Sequence, residues 1–517
     1  MDSRSGFCRT TRTFRSLRPP NPLPPADAPV SFPSFALSRL PSPLPAHPAF
    51  VDASTGAALS YPALLSRVRY LAAALRGALG VAKGHVVLVL APPSLDLPVL
   101  FLAVMSIGGI VSPVNPLSTA ADVARAIGLC NPSVVFATAA TAGKVHAGGK
   151  PVDVVLLDSP RFLSFLEGHD DCPPVLVRQS DVAAISYSSG TTGRTKAVAQ
   201  THRRFIESAM QIRPARPRAP GGAVVTLLGV PVFHSYGFCM LLRGVLMAET
   251  TVVITVMFVA PPVVVAMVRG AVGPEELPDL VRIDCGGAPL STMAASAFHE
   301  RFPDIELSIS YGSTEGGVIS KMVGYEECRR IKSTGRLCSG VEAKIVDIAT
   351  GELLSTNEHG ELCIRSLSVM LGYVGGNEEN VPAFDSNGWL KTGDLCYFDE
   401  DGFLYIVDRL KELIKYKAYQ VAPAELEDVL NLIPGLIDAA AVPYPDEEVG
   451  QVPMAFVVRQ KGSKLTEAQV IEFVANQVAP YKKIRKVTFV DSIPRSPAGK
   501  LLRHKLRMKL PKSTSRL

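Results

Sequence analysis

Short runs of apolar, mostly β-branched residues alternate with longer segments of helical spacing through the first third of the chain. Strand-like runs lie at 86–91, 134–137 and 154–157, and the segments 63–79 and 120–129 have the apolar spacing of helices. Parallel neighbouring strands need a connection of a dozen or more residues, which is usually a helix. The alternation therefore predicts an α/β fold in which helices cover parallel or mixed sheets.

The end of the chain follows a different pattern. Strand-like runs and two helix-like segments, 422–432 and 465–478, predict a small α+β unit. A chain of 517 residues is also longer than one hydrophobic core usually accommodates. We therefore expect a large N-terminal domain at 1–408 and a small, mobile C-terminal domain at 409–517. Residues 1–50, which are rich in proline and serine, are expected to wrap the surface.

Composition argues against several classes of function. The formal net charge of +6 is small and dispersed, so we expect no nucleic-acid partner. The nine cysteines include no C-x-x-C pair, which indicates reduced thiols rather than a disulfide framework or a metal site. Two apolar runs, 97–111 and 251–268, are short and contain proline or glycine, so neither is expected to cross a membrane.

A run of hydroxyl and glycine residues that ends in lysine follows a strand-like segment at 182–185. Glycines let backbone N–H groups face a ligand, hydroxyls add donors and lysine adds charge, which together suit a polyphosphate. Two residues rather than four separate Gly190 from Gly193, so the run is not a Walker motif. The predicted phosphate-binding residues are Ser188, Ser189, Gly190, Thr191, Thr192, Gly193 and Lys196.

This run resembles the phosphate loop of the adenylate-forming superfamily, which includes acyl-CoA synthetases, firefly luciferase and the adenylation domains of peptide synthetases. The family loop reads Ser-Ser-Gly-Thr-Thr-Gly-x-Pro-Lys-Gly, and this chain departs from it at Thr195 and Ala197. Further segments match in the family's order over residues 30–517, and the plant 4-coumarate–CoA ligase-like proteins are the most similar branch. The resemblance implies a luciferase-like fold and ATP-dependent activation of a carboxylic acid, followed by its transfer to coenzyme A.

Two further segments resemble parts of the family's acyl and adenine sites. Residues 231–237 resemble the Phe-His segment beside the acyl pocket, which implies a catalytic role for His234. A Gly-Gly-Ala-Pro segment resembles the turn beneath the adenine ring, where glycine permits close approach of the backbone. Its residues are Gly286, Gly287, Ala288 and Pro289.

Residues 311–315 resemble the family's Tyr-Gly-x-Thr-Glu motif. The resemblance implies that Tyr311, followed by Gly312, stacks on adenine. It also implies that Thr314 reaches the α-phosphate and that Glu315 holds Mg²⁺, a cation that prefers oxygen ligands. Serine replaces the family's glycine before the tyrosine, so we expect Ser310 to narrow or polarise the acyl pocket.

The remaining family residues contact ribose or the reacting phosphate. Asp394, in a Thr-Gly-Asp segment, and Arg409 resemble the residues that bind the ribose hydroxyls. Lys500, in Pro-Arg-Ser-Pro-Ala-Gly-Lys, resembles the lysine that bridges carboxylate and α-phosphate oxygens. Such a lysine stabilises the charge that develops as pyrophosphate leaves.

Thioester formation in the family uses a segment that enters the site when the small domain rotates. Lys415, Lys417 and Gln420 match this segment, whereas alanine replaces the family's glycine at 418. A Cβ obstructs any position that needs positive φ or close approach of the backbone. We therefore expect Ala418 to weaken CoA transfer while adenylation continues.

The resemblance also indicates a shortened region. In the family a helix and a loop separate the strands that 252–254 and 256–260 resemble, whereas Thr255 alone separates them here. About 20 residues are therefore missing near 254–256, and one residue cannot supply a crossover between parallel neighbours. We expect that one strand is lost or that the two merge, with poor local order or rearrangement near 250–262.

Both ends of the chain carry candidate targeting segments. Five arginines and one acid among the first twenty residues resemble a transit peptide, although Pro19, Pro20, Pro24 and Pro25 follow directly. Ser515-Arg516-Leu517 is a conservative variant of the Ser-Lys-Leu address that the peroxisomal import receptor recognises. We expect a peroxisomal protein, with the cytoplasm as the alternative.

The sequence thus predicts a ligase that uses ATP, Mg²⁺ and CoA. Its small-molecule acid is a hydroxycinnamate, a fatty acid or an oxylipin, and peroxisomal targeting favours the last two. The alternatives are a catalytically impaired paralogue that binds nucleotide or acyl ligand, and an enzyme that stops at the adenylate. Ala418 and the shortened region favour these alternatives, whereas the intact Glu315, Asp394, Arg409 and Lys500 favour turnover.

Overall fold

The computed structural model describes residues 1–145, 152–168, 173–189, 195–212, 224–251, 256–277, 280–375, 383–417, 419–446, 448–496 and 500–509. Its α-helices are Phe32–Ser38, Tyr61–Gly77, Asp96–Ser106, Ala120–Cys130, Ala139–Ala142, Pro160–Leu166, His202–Gln211, Ser235–Leu246, Pro261–Val268, Thr292–Arg301, Gly324–Cys328, Pro423–Leu430, Glu467–Ala475 and Arg503–Arg507. Short 3₁₀ turns lie at Pro274–Glu276 and Pro480–Lys482. Hydroxyl N-caps begin several helices, as where the Thr119 side chain accepts from the Asp122 amide.

The largest sheet is a continuous path of fifteen strands that is parallel in one part and antiparallel in the other. In spatial order its strands are Phe7–Cys8, Thr13–Arg15, Glu342–Val346, Gly360–Arg365, Leu390–Phe398, Phe403–Arg409, Ser333–Leu337, Gly317–Lys321, Glu306–Ser313, Arg282–Cys285, Val256–Val259, Val225–Leu228, Thr250–Thr251, Pro48–Val51 and Ala58–Ser60. The direction changes at Glu306–Ser313, which is parallel to one neighbour and antiparallel to the other.

A second sheet contains the alternating segments from the start of the chain. Its strands, in order, are Gly372–Tyr373, Thr195–Thr201, Val182–Ser189, Ile110–Pro113, Val86–Leu90, Val134–Ala137 and Asp153–Leu156. The last five of these strands are mutually parallel, as the alternation predicts. The apolar run at 97–111 becomes the buried helix Asp96–Ser106 and the start of the strand Ile110–Pro113. Among the described residues no helix combines the length and the apolar character needed to cross a bilayer.

The C-terminal residues form a third, smaller sheet with its own core. Its strands are Tyr419–Val421, Ile414–Tyr416, Gly450–Arg459 and Leu436–Asp446, and Lys486–Phe489 pairs with Gly450–Arg459. The helices Pro423–Leu430 and Glu467–Ala475 pack on it through buried side chains such as Leu426 and Val470. The predicted α/β fold, with a large N-terminal part and a smaller α+β C-terminal part, is therefore confirmed.

The first twenty residues differ from the expectation that they only wrap the surface. Thr13–Arg15 pairs with Glu342–Val346 and extends the large sheet. Phe14 is completely buried and stacks on Phe398, with ring centroids 4.2 Å apart. The arginine-rich composition of this segment gave no indication that Phe14 belongs to the core.

The region of the apparent deletion also differs from expectation, because two separate strands are present. Thr250–Thr251 and Val256–Val259 both run parallel to Val225–Leu228, on opposite sides of it. Thr251 and Val256 are level with the same residue, Thr226, so the chain needs to move sideways by only two strand spacings, about 10 Å. The second strand starts at the level where the first one ends, so the chain does not have to travel back along the strand direction. A crossover of a dozen or more residues is therefore unnecessary. Residues 252–255 lie outside the described residues.

Candidate active site

Residues from the first two sheets and their connections, together with a C-terminal segment that includes Ser496 and Lys500, surround a cavity of about 690 Å³. The lining residues that sequence predicted are Ser188, Lys196, His234, Gly287, Tyr311, Gly312, Thr314, Glu315, Arg409 and Lys500. Most of them lie at or just beyond the ends of strands, where the side chains of neighbouring strands meet. The fold thus brings together residues that are far apart in the sequence.

The phosphate side of the cavity begins with a hairpin. Strands Val182–Ser189 and Thr195–Thr201 are antiparallel, and Ser188 pairs with Lys196. The buried hydroxyl oxygen of Ser188 has no hydrogen-bond partner among the described residues. Because leaving a buried hydroxyl unpaired is costly, this group fits a ligand oxygen such as that of a phosphate.

Part of the predicted phosphate loop cannot be placed on this hairpin. Gly190, Thr191, Thr192 and Gly193 lie outside the described residues, as does the side chain of Ser189. Their role in phosphate binding stays a prediction.

The loop that carries Thr314 and Glu315 is anchored by a buried arginine. The guanidinium of Arg204 donates to the carbonyl oxygen of Thr314 over 2.7 Å and to that of Glu315 over 3.0 Å. The side-chain amide of Gln200 donates to the same Thr314 carbonyl over 3.2 Å. Burial lowers the pKa of Arg204 to about 10, which still leaves it charged at neutral pH. With its main chain fixed in this way, the loop presents both side chains to the cavity.

Arg204 and Gln200 are functional residues that sequence reasoning missed. Arg204 lies in the helix His202–Gln211, directly after Arg203, and such a basic pair is usually found on an exposed helix face. Nearly every residue of this helix is buried, so the expected contrast between a polar and an apolar face is lost. No local pattern in the sequence could therefore have distinguished Arg204.

Close packing explains the glycine in the Tyr-Gly-x-Thr-Glu segment. A Cβ at Gly312 would lie 2.2 Å from the carbonyl oxygen of Gly317 on the neighbouring strand. No side chain is tolerated at that separation, so the tight turn between Glu306–Ser313 and Gly317–Lys321 requires glycine. This turn sets the direction in which Thr314 and Glu315 point.

Asp394 joins the two predicted nucleoside-binding side chains. The hydroxyl of Tyr311 donates to one carboxylate oxygen of Asp394 over 2.5 Å, and Nε of Arg409 lies 3.0 Å from the other. Asp394 is only 3% exposed, whereas Tyr311 and Arg409 line the cavity. Each carboxylate oxygen can accept two hydrogen bonds, so ribose hydroxyls can be added to these partners. Burial and the neighbouring carboxylate raise the pKa of Tyr311 well above its usual value, which keeps it a donor.

Lys500 reaches the same cavity from the C-terminal part of the chain. The backbone amide of Ser496 donates to the Lys500 carbonyl over 2.8 Å, and the Lys500 amide donates to the Ser496 hydroxyl over 3.1 Å. Burial, helped by the cations Arg409 and Lys411 and opposed by Asp394 and Glu315, lowers the pKa of Lys500 to about 8. The predicted cation is therefore held among the groups that would contact a triphosphate.

His234 and several apolar side chains also line the cavity. His234 caps the helix Ser235–Leu246 by accepting from the Tyr236 amide, and burial lowers its pKa. The apolar lining residues include Phe205, Phe233, Met240 and Val318. Ser310 also lines the cavity, and its hydroxyl would lie 2.8 Å from a Cβ at Gly286, so it occupies the space beside that glycine. That Ser310 narrows or polarises the acyl pocket stays a prediction.

Several predicted residues do not line the cavity in this conformation. Gly286, Ala288 and Pro289 lie beside it, and only Gly287 of that segment contributes to the wall. Lys415, Lys417 and Gln420 are exposed on the hairpin of Ile414–Tyr416 and Tyr419–Val421, and residue 418 lies outside the described residues. The structure therefore does not bring the predicted CoA segment to the site.

Glu315 is the residue suited to a divalent cation. In the part of the chain that the structure describes, no three acidic, histidine or cysteine side chains cluster closely enough to hold a metal. Mg²⁺ is commonly held by one or two carboxylates together with substrate phosphates. A carboxylate at Glu315, facing a cavity that also contains Ser188 and Lys196, meets that requirement.

Comparison with known proteins agrees with this geometry. The family described as AMP-binding enzyme matches residues 41–374, and its C-terminal domain matches residues 425–500. The chain is 47% identical to 4-coumarate--CoA ligase-like 6 of Oryza sativa subsp. japonica, over 100% of this chain and 94% of that protein. It is 41% identical to Peroxisomal OPC-8:0-CoA ligase 1 of Arabidopsis thaliana, over 100% of both chains.

The fold also has close counterparts among solved structures. ATP-bound MatB from Rhodopseudomonas palustris superposes with a TM-score of 0.83 at 24% identity, over 93% of this chain and 99% of that one. The alignment with the rice relative spans 559 residues whereas this chain has 517, so the relative has residues without a counterpart here. The chain belongs to the AMP-binding enzyme family and is, within it, an adenylate-forming acid–thiol ligase of the 4-coumarate–CoA ligase-like type.

Proposed function

We propose that the chain activates a carboxylic acid as its adenylate at the described cavity and then transfers the acyl group to CoA. The observation that carries this proposal is the convergence of Lys500, Glu315 and Ser188 on one cavity that apolar side chains also line. Mg²⁺ held at Glu315 would screen the phosphate charge against an incoming carboxylate.

In the first step, a carboxylate oxygen of the acid forms a bond to the α-phosphorus of ATP. The bond from that phosphorus to the oxygen bridging to the β-phosphate breaks, and pyrophosphate leaves with the oxygen. Lys500 stabilises the charge on the α-phosphate oxygens and the carboxylate during this exchange. Tyr311, Asp394 and Arg409 hold the nucleoside while the triphosphate lies against Ser188 and Lys196.

In the second step, the CoA sulfur forms a bond to the acyl carbon. The bond from that carbon to the adenylate oxygen breaks, AMP leaves, and the thiol proton passes to solvent. Lys415, Lys417 and Gln420 are exposed in the described conformation, so their participation requires the C-terminal part to rotate. We assign these residues to the second step only.

We further propose a fatty acid or an oxylipin as the substrate rather than a hydroxycinnamate. The apolar wall formed by Phe205, Phe233, Met240 and Val318 supports an aliphatic chain. The 41% identity to a protein named as a peroxisomal OPC-8:0-CoA ligase supports the same choice.

A panel of acids separates the proposed ligase from its alternatives. Purified protein is given p-coumarate, fatty acids of increasing length and oxylipin acids, and pyrophosphate exchange is measured separately from acyl-CoA. Both products with one class of acid support the proposal. Exchange without acyl-CoA identifies an enzyme that stops at the adenylate, and ATP binding without exchange identifies an impaired paralogue.

We also propose import into peroxisomes through Ser515-Arg516-Leu517, which lies outside the described residues. The peroxisomal relative supports this location. A fluorescent protein fused before Met1 is expected to mark peroxisomes and to become cytoplasmic when the last three residues are deleted. Unchanged localisation of the shortened fusion contradicts the assignment.

A further inference from the structure

Tyr373 lies between the phosphate-side lysine and the predicted metal-binding carboxylate. It belongs to the two-residue strand Gly372–Tyr373, which pairs with Thr195–Thr201 so that Tyr373 is level with Val198. The strand that carries Lys196 therefore also positions Tyr373. Both side chains, with Glu315, line the cavity.

The hydroxyl of Tyr373 donates to Oε1 of Glu315 over 3.3 Å. The main chain of Glu315 is fixed independently, because its carbonyl oxygen accepts from Arg204 over 3.0 Å and from the Met370 amide over 2.6 Å. Those contacts place the Cα of Glu315 but leave its side-chain torsions to be set by other contacts. The bond from Tyr373 acts on the carboxylate itself, and it leaves the second oxygen, Oε2, available to a cation.

The ring of Tyr373 makes a second contact with a charged group. Nζ of Lys196 lies 4.3 Å from the ring centroid, within the distance at which an ammonium is attracted to an aromatic face. Lysine side chains have many rotamers, so a contact near the charged end restricts where that charge is found. Tyr373 thus contacts two groups of opposite charge. Its hydroxyl contacts the Glu315 carboxylate, and its ring contacts the Lys196 ammonium.

We propose that Tyr373 is a positioning residue that holds Glu315 and Lys196 at the separation a magnesium–triphosphate complex requires. The proposal rests on the proposed function only in its assignment of the cavity to ATP. Tyr373 need not touch the nucleotide: its hydroxyl orients the carboxylate that would hold the cation, and its ring orients the ammonium that would meet the phosphates.

Two substitutions separate the contributions of the hydroxyl and the ring. Tyr373→Phe removes the bond to Glu315 and keeps the face that meets Lys196, whereas Tyr373→Leu removes both. Binding of ATP is measured by calorimetry on the full chain, once with EDTA and once with excess Mg²⁺. Neither measurement contains an acid or CoA, so a wrong assignment of the overall reaction cannot be mistaken for failure of this proposal.

For Tyr373→Phe we expect the affinity for metal-free ATP to stay within about twofold of that of the unaltered chain. We expect the factor by which Mg²⁺ increases the affinity for ATP to be about tenfold smaller than in the unaltered chain. For Tyr373→Leu we expect the same loss and, in addition, about threefold weaker binding of metal-free ATP. Tyr325, whose hydroxyl accepts from Arg329 away from the cavity, provides the matched control. Tyr325→Phe and Tyr325→Leu are expected to change neither measurement.

Two results would overturn the proposal. A full Mg²⁺-dependent gain in Tyr373→Phe shows that the hydroxyl does not orient Glu315. Equal losses of metal-free ATP binding in Tyr373→Phe and Tyr373→Leu, with a matching fall in Tm, show that Tyr373 supports only the local fold.

Discussion

The guanidinium of Arg204 donates to the carbonyl oxygen of Thr314 over 2.7 Å, beneath the loop that presents Thr314 and Glu315 to the cavity. A buried charge therefore fixes the main chain of the loop expected to contact the α-phosphate and the cation. The consequence is that a residue without a predicted contact to substrate controls where two site residues lie.

Replacing Arg204 by methionine keeps most of its volume but removes the charged donor from two buried carbonyl groups, which keep only the Gln200 amide and the Met370 amide as donors. We expect the free energy of unfolding to fall by about 2–4 kcal/mol and the KM for ATP to rise about tenfold in pyrophosphate exchange. Arg203→Met is the matched control, because Arg203 donates to the Pro24 carbonyl and the Gln179 side chain rather than to the loop. If both variants change the KM equally, Arg204 acts only through stability.

The lowered pKa of Lys500 leads us to predict that activity falls at alkaline pH. Burial and neighbouring cations disfavour its charged form and lower its pKa to about 8, so the free enzyme loses this positive charge as the pH rises through 8. We expect kcat/KM for pyrophosphate exchange to fall above that pH, because kcat/KM reports ionisation of the free enzyme. Lys500→Arg, which stays charged, should be slower but show no such fall. A wild-type profile that stays flat to pH 9.5 contradicts this assignment.

The buried carboxyl group of Glu207 leads us to predict that the free energy of unfolding depends on pH. Its side chain is 2% exposed, Oε2 has no partner among the described residues, and burial raises its pKa to about 7 from 4.5. Because the folded protein holds this proton more tightly than the unfolded chain, stability decreases as pH rises from about 4.5 through 7 and stays reduced above it.

We expect Glu207→Gln to be more stable than the unaltered protein at pH 8 by about 2 kcal/mol, with a smaller difference at pH 5. Urea unfolding at both pH values tests this, with Glu326→Gln on the exposed helix Gly324–Cys328 as the control. A difference of equal size at both pH values indicates a packing effect instead.

Alanine at position 418 leads us to predict slow transfer of the acyl group to CoA. Tyr416 pairs with Tyr419, which leaves two residues in the hairpin loop, and Lys417 has a φ of 51°. Two-residue loops that begin with positive φ favour glycine in the second position. We expect Ala418→Gly to accelerate acyl-CoA formation from enzyme-bound adenylate about fivefold in single-turnover assays. Pyrophosphate exchange in the same variant should remain within about twofold, and an unchanged rate of acyl-CoA formation removes the proposed obstruction.

The parallel strands of the second sheet could be predicted from sequence because each is short, apolar and separated from the next by a helix. Val86–Leu90 and Val134–Ala137 show this, since their side chains are buried along the whole strand. The motif residues could be located because the chemistry of phosphate binding requires glycines, hydroxyls and a lysine within a few positions. Local chemistry therefore identified the phosphate hairpin, whereas the other predicted lining residues, such as Tyr311 and Lys500, were located through the family resemblance.

The residues that hold the wall in place could not be predicted in the same way. Arg204 and Tyr373 act on Glu315, and neither has a local pattern that indicates its partner. The two strands around the shortened region were also misjudged, because their offset along Val225–Leu228 depends on three-dimensional pairing. Such relationships depend on how distant segments meet.

The pairing of Thr13–Arg15 with Glu342–Val346, and of Phe14 with Phe398, has a consequence for biosynthesis. Thr13–Arg15 has to stay unpaired during synthesis until the chain has been translated as far as Phe398, since the surface that Phe14 covers does not exist before then. Removal of this segment would strip two strands, Phe7–Cys8 and Thr13–Arg15, from the edge of the sheet and leave the Phe398 ring uncovered. We therefore expect loss of this segment to destabilise the large sheet.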